Sequence, residues 1–112
     1  MLDLLEGTDI THLVPALSEL PVAANNPRLW KQFNFALLSR AKSVEARVRL
    51  NAVTVYLEFV SKLGQSYSDL LADSLPAMAE LLEDADEAVE SKTREIVERI
   101  EEVTGESMDQ HL

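Results

Sequence analysis

Apolar residues recur along the chain at helical spacing, and no stretch alternates polar and apolar positions long enough to make a strand. Ile10, Leu13, Val14, Leu17 and Leu20 fall on one side of a predicted leading helix that starts at Thr8 or Asp9, within a leading segment over residues 8–24. Pro15 lies inside it and is expected to bend it, because proline removes a donor and crowds the preceding turn. Pro21 ends it.

Asn26 followed by Pro27 is a strong helix start, since proline at the first helical position forfeits an N–H that has no partner there. Trp30, Phe33 and Leu37 then follow at i, i+3 and i+7. Ser43 is read as the cap of the next helix, whose stripe is Val48, Ala52, Val55, Phe59 and Leu63. Leu50, Val53 and Leu57 form a second stripe on another side. A helix apolar on two sides is expected to be packed on two sides. Gly64 closes it. Ser66 with Asp69 reads as a capping box for a fourth helix through Leu70, Leu71, Leu75, Met78, Leu81 and Leu82, bent near Pro76. Asp84 with Glu87 opens a fifth, with Val89, Ile96, Ile100 and Val103 apolar and Thr93 filling the gap, and Gly105 ends it. This last helix has one apolar side.

A period emerges from pairing these elements. Val89 follows Val48 by 41 positions, and Leu82 follows Leu38 by 44. Helix-turn-helix units of about 40–47 residues are the period of HEAT and armadillo arrays. The expectation is an all-α fold: a HEAT-type α-solenoid of about five helices, with two helical-hairpin repeats and a leading helix. The first repeat spans residues 26–64, the second, capping repeat 66–105, and a tail 106–112. An interior helix buried on two sides followed by a one-sided final helix is how such an array closes its hydrophobic column.

Composition narrows the function classes. The chain has 112 residues and 46% hydrophobic content, enough for one folded domain, and its three Gly and four Pro disfavour a turn-rich sandwich or barrel. It has no Cys, so no disulfide or thiolate metal site is expected. No apolar run is long enough for a membrane helix, and the acidic opening MLDLLEG does not read as a leader peptide. The net charge of −10 is unevenly placed: residues 63–112 carry fourteen acids against three bases, and residues 1–62 carry six against seven. Such asymmetry bears on partners, not on fold.

The basic residues Arg28, Lys31, Arg40, Lys42, Arg47 and Arg49 cluster with only Glu45 opposing them, and are the candidate RNA or partner contact. Two readings stay open. They could reach phosphate, or an Arg such as Arg49, just after Val48, could join neighbouring repeats structurally. The acids Glu80, Glu83, Asp84, Asp86, Glu87 and Glu90 lack the alternating ligands and central Gly of a calcium loop, and read as helix-start acids on a solvated side. Trp30 is expected in the core. His12 and His111 stand apart with no cysteine near. No catalytic constellation, cofactor, metal site or small-molecule substrate is expected.

Particular stretches also carry a resemblance. THLVPAL (Thr11 to Leu17), LWKQFNFALL (Leu29 to Leu38), VRLNAV (Val48 to Val53), SLPAMAELLEDADEAVE (Ser74 to Glu90) and IEEVTGESMDQHL (Ile100 to Leu112) resemble the C-terminal segment of the very large HEAT-repeat proteins of the UtpA subcomplex of the small-subunit processome. The opening MLDLLEG lies outside the resemblance, and the tail ends His-Leu where that family has an aromatic pair. The resemblance implies a non-catalytic scaffold in ribosome biogenesis and rRNA processing, with a location in the nucleus and nucleolus. The partners it implies are other processome proteins and pre-ribosomal RNA or a small nucleolar ribonucleoprotein, not membrane. The competing expectation is a free-standing acidic helical adaptor that binds protein partners and never meets RNA.

Overall fold

Short loops between amphipathic helices force neighbours to fold back on one another, and the chain does so twice. The computed structural model describes residues 27–107, so the leading helix, Asn26 and the end of the tail lie outside the described residues. Helix α1 spans Pro27–Arg40 and α2 Ala46–Leu63; a 3-10 helix, Gly64–Leu70, leads into α3, Leu71–Leu81, and α4 spans Glu87–Thr104. There is no strand among the described residues. The most extensive helix–helix contact is between α2 and α4, with α1 packed on α2 and α3 on α4. The result is two layers, α1 and α3 in one and α2 and α4 in the other.

The two hairpins share several turn hydrogen bonds at a spacing of 41. The Ala41 N–H reaches the Leu37 carbonyl at 3.0 Å, and that of Leu82 reaches Met78 at 3.0 Å. Ser43 donates to Arg40 at 3.1 Å, and Asp84 to Leu81 at 3.2 Å. Arg49 donates to Glu45 and Glu90 to Asp86, at 3.1 and 3.0 Å. Glu45 and Asp86, the residues preceding α2 and α4, share an extended backbone near φ −89, ψ 122 and φ −83, ψ 119. Core positions follow the same spacing: Val48 with Val89, Ala52 with Thr93, Val55 with Ile96 and Phe59 with Ile100 are all buried.

The stripes read from the sequence meet in this core. Val48, Ala52, Val55, Phe59 and Leu63 are buried on α2; Val53 is too, and Leu50 and Leu57 pack half-buried against the cluster. On α4, Val89, Thr93, Ile96 and Ile100 are fully enclosed. Each of the two isoleucines contributes about 1.5–3 kcal/mol by leaving water. Trp30 and Phe33 are half-buried against the same cluster, and Phe33 stands edge-on to Phe59 at 5.1 Å.

Three expected helix starts are corrected. Ser43 does not cap α2: Glu45 occupies the N-cap without a side-chain bond, and Ser43 Oγ accepts the Glu45 N–H at 3.2 Å, stabilising the turn before the helix. Ser66 and Asp69 form no capping box, because residues 64–70 wind as a 3-10 helix and α3 begins at Leu71. Burial of Tyr67 and Leu70 draws that segment into the core and overrides its local capping signal. Asp86, not Asp84, caps α4 by accepting the N–H groups of Ala88 and Val89 at 3.0 and 3.2 Å. Gly64 takes φ +58 at the bend from α2 into the 3-10 helix, and Gly105 takes the left-handed φ +74 that ends α4.

Candidate functional site

The sequence placed Asp84 at a cap; the fold turns it toward Arg49 instead. The guanidinium grips the carboxylate in a two-pronged pair, Nε to Oδ2 at 2.8 Å and Nη2 to Oδ1 at 3.0 Å. Its remaining nitrogen, Nη1, donates to the carbonyls of Ser43 and Val44 at 2.9 and 3.1 Å. Asp84 Oδ1 also accepts the Asp86 N–H at 2.8 Å. One side chain thus ties the first interhelical loop to the second, across 35 residues of sequence. Burial alone would raise the Asp84 pKa, but the Arg49 hydrogen bond, the Asp86 N–H and the Arg49 charge together outweigh it and hold the carboxyl below its ordinary value. Of the two readings of Arg49, the geometry supports the structural one.

The six candidate bases differ in exposure and in their partners. Arg28 and Lys31 are exposed on α1, Arg40 is half-buried at its end, and Lys42 is exposed in the following loop. Arg47 is exposed, with Nη2 3.9 Å from Glu45. Arg49 is committed to Asp84. On α4, Arg94 pairs with Glu90, Lys92 with Glu95 and Arg99 with Glu102, and Arg99 also donates to Ser61 of α2. The outward side of α4 keeps Glu87, Glu98 and Glu102 exposed. Among the described residues no group of three or more His, Cys, Asp or Glu could hold a metal ion, and no helix is long and apolar enough to cross a membrane.

A buried polar network was not anticipated. The Tyr56 hydroxyl lies 2.5 Å from Asn34 Oδ1, 2.6 Å from the Tyr67 hydroxyl and 2.8 Å from Ser74 Oγ. Asn34 Nδ2 donates to Ser74 Oγ at 3.2 Å, and Ser74 Oγ donates to the Leu70 carbonyl at 2.8 Å. An amide oxygen can only accept, so Tyr56 donates to Asn34 and takes its own bond from Tyr67. α1, α2, the 3-10 helix and α3 all meet at this point. Burial pushes the Tyr56 pKa well above the usual phenol value, reinforced by the neighbouring Tyr67 charge and opposed by the Ser74 hydrogen bond. Burial likewise raises Tyr67, against its bonds to Ser74 and Tyr56. The available signal was positional: Asn34 sits four residues after Trp30, and Tyr56 beside Val55 and three before Phe59, on core sides.

A second unanticipated feature is a groove between α1 and α3. Its wider part, about 360 Å³, is floored by Leu38, Ala41, Ala77 and Leu81 and ends at the Arg49–Asp84 pair. A smaller part of about 230 Å³ is lined by Phe35 and Pro76, and the two share Leu38, Lys42 and Ala77. Phe35 is 74% exposed at this lip.

Comparison with known proteins gives one consistent result. The chain is 33% identical over 102 residues to HEAT repeat-containing protein 1 of Danio rerio, covering 91% of the chain and 5% of that protein. It is 38% identical over 89 residues to the HEAT repeat-containing protein 1 homolog of Drosophila melanogaster, covering 80% of the chain and 4% of the relative. To U3 small nucleolar RNA-associated protein 10 of Neurospora crassa it is 39% identical over 100 residues, covering 89% of the chain and 6% of the relative. The chain thus spans about one-twentieth of the length of the curated relatives it matches. No family model and no solved structure matches it. With homologues of this kind and helices but no strand among the described residues, the fold is all-α and HEAT-type.

Proposed function

We infer that this chain, a homologue of HEAT repeat-containing protein 1 and of U3 small nucleolar RNA-associated protein 10, is a non-catalytic scaffold segment in ribosome small-subunit biogenesis. It acts in the nucleolus, within the small-subunit processome, during pre-rRNA processing. The observation that carries the reading is the match along about nine-tenths of the chain to a protein named for its association with U3 small nucleolar RNA. The architecture is compatible with it: stacked hairpins offer long helical sides for binding.

Within this reading the exposed bases Arg28, Lys31, Lys42 and Arg47 form a contact edge toward processome partners, and Arg49 serves the fold. The test is affinity purification of the intact tagged protein. U3 small nucleolar RNA and nucleolar proteins should be enriched, and recovery of neither would overturn the reading.

The adaptor without RNA contact keeps one observation in its favour: with Arg49 bound to Asp84 and Arg47 beside Glu45, the bases do not make a continuous track for a phosphate backbone. A titration of pre-ribosomal RNA against salt separates the two. Salt-sensitive binding lost on charge reversal of Lys31, Lys42 and Arg47 favours RNA contact, and no binding favours protein recruitment alone.

A further inference from the structure

We propose that the groove between α1 and α3 is a docking site for an amphipathic helix of a protein partner, with an acidic flank facing α1 and a basic flank facing α3. The inference deepens the scaffold reading and rests on it.

The segments that form the two walls differ in charge, and Lys42 is the base of the first segment that lines the groove itself. Residues 27–44, which form α1 and the loop after it, contain four bases and no acid. Residues 63–91, which carry α3 with its flanks, contain no base at all. The groove runs between these segments, with Lys42 on one rim and Asp73 and Glu80 on the other. Such a pair of rims fixes a partner's direction as well as its presence, since the reverse orientation sets like charge against like.

Between the rims the floor is apolar. Leu38, Ala41, Ala77 and Leu81 are 9%, 4%, 6% and 5% exposed, so the bottom is built from aliphatic residues that belong to the core below. Phe35 of α1 and Pro76 of α3 both line its smaller part. A single exposed Phe is unremarkable on a surface. Here it stands at the mouth of an apolar trough, where a second helix would cover it. From Phe35 to Lys42 the wall runs about two helical turns, roughly 10 Å, which suits apolar anchors at i, i+4 and i+7 of an incoming helix.

Two other occupants fit less well. A nucleic acid backbone on Lys42 would meet the Asp73 and Glu80 carboxylates across the groove. The chain's own apolar stretch from Thr8 to Leu20 carries Asp9 and Glu19 with no Lys or Arg, so it can complement the α1 rim but not the α3 rim.

The test uses the intact protein with a photoreactive benzoylphenylalanine in place of Phe35, irradiated in purified particles. The expected adduct is a protein segment with apolar residues at i, i+4 and i+7 and acids and bases on opposite flanks. Lys42→Glu combined with Asp73→Lys and Glu80→Lys should lower its yield about tenfold or more, and exchanging the flanking charges of the captured segment should restore it. An adduct to RNA alone, an adduct to residues 1–26 of the same chain, an adduct insensitive to the charge exchange, or no adduct overturns the proposal. U3 small nucleolar RNA is measured in the same particles: if it is retained while the adduct fails, only the groove assignment falls, and if it is absent the scaffold reading falls first.

Discussion

Replacing Arg49 with Met retains an unbranched apolar stem but deletes the guanidinium, and with it four hydrogen bonds across two loops. The Asp84 side chain, 8% exposed, then keeps the Asp86 N–H and loses its opposite charge. A hydrogen bond to a charged group contributes about 1.5–3 kcal/mol net, and stripping one partner from a fully buried ion pair costs about 3–5 kcal/mol. The Arg49 side chain is 18% exposed, so water relieves part of that penalty and the expected loss is about 2–3 kcal/mol. Urea unfolding followed by circular dichroism measures it. In a cycle with Asp84→Asn the two changes should fall short of additivity by about 1–2 kcal/mol, because both disrupt the same Arg49–Asp84 ion pair. Acid adds an independent readout. The Asp84 carboxyl titrates below its ordinary value in the folded chain, so its stabilisation is fully present above the unfolded pKa and is lost as pH falls through the lower folded one. The stability gap between the parent chain and Asp84→Asn should therefore narrow below about pH 4. Single changes each worth under about half a kcal/mol, with no coupling, would refute the view that this pair joins the hairpins.

Further outcomes are expected. Tyr56→Phe removes the short donor of Asn34 Oδ1, leaving it the longer Ser74 Oγ contact at 3.5 Å, and should cost about 1–3 kcal/mol by the same assay. The chain's two tyrosines are both in this network with raised pKa values, so stability holds below the unfolded phenol pKa and falls as pH rises past about 10, and phenolate absorbance should grow only as the helical signal is lost. Ile96→Asp puts a carboxylate at a fully enclosed site and should cost several kcal/mol, whereas Glu98→Lys on the exposed side should change stability by less than about half a kcal/mol; equal tolerance would contradict the orientation of α4. Gly105→Ala meets no neighbouring atom, so its cost is that of a left-handed alanine alone, about 1 kcal/mol, readable as a lowered melting temperature.

The sequence by itself located α1, α2 and α4 but misplaced the caps of α2 and α4, and it determined which of their sides are buried and that Gly105 ends the last of them. These are local matters: a stripe such as Val89, Thr93, Ile96 and Ile100 is written in spacing alone, because one helix can bury only residues that share a side. The 41-residue spacing was legible in Val48 and Val89 for the same reason. Tertiary structure decided the rest. Asp84 and Asp86 are two residues apart and equally plausible caps in the sequence; which one caps α4 and which grips Arg49 depends on an α2 side chain 35 residues away. Ser66 and Asp69 carry a sound local capping signal, yet enclosing Tyr67 wins, since a buried aromatic ring outweighs one cap. Asn34, Tyr56, Tyr67 and Ser74 become one network, and Phe35 and Pro76 parts of one groove, only when separate helices are laid side by side. Periodicity records which side of a helix faces inward, and distance between helices is a property that no single helix contains.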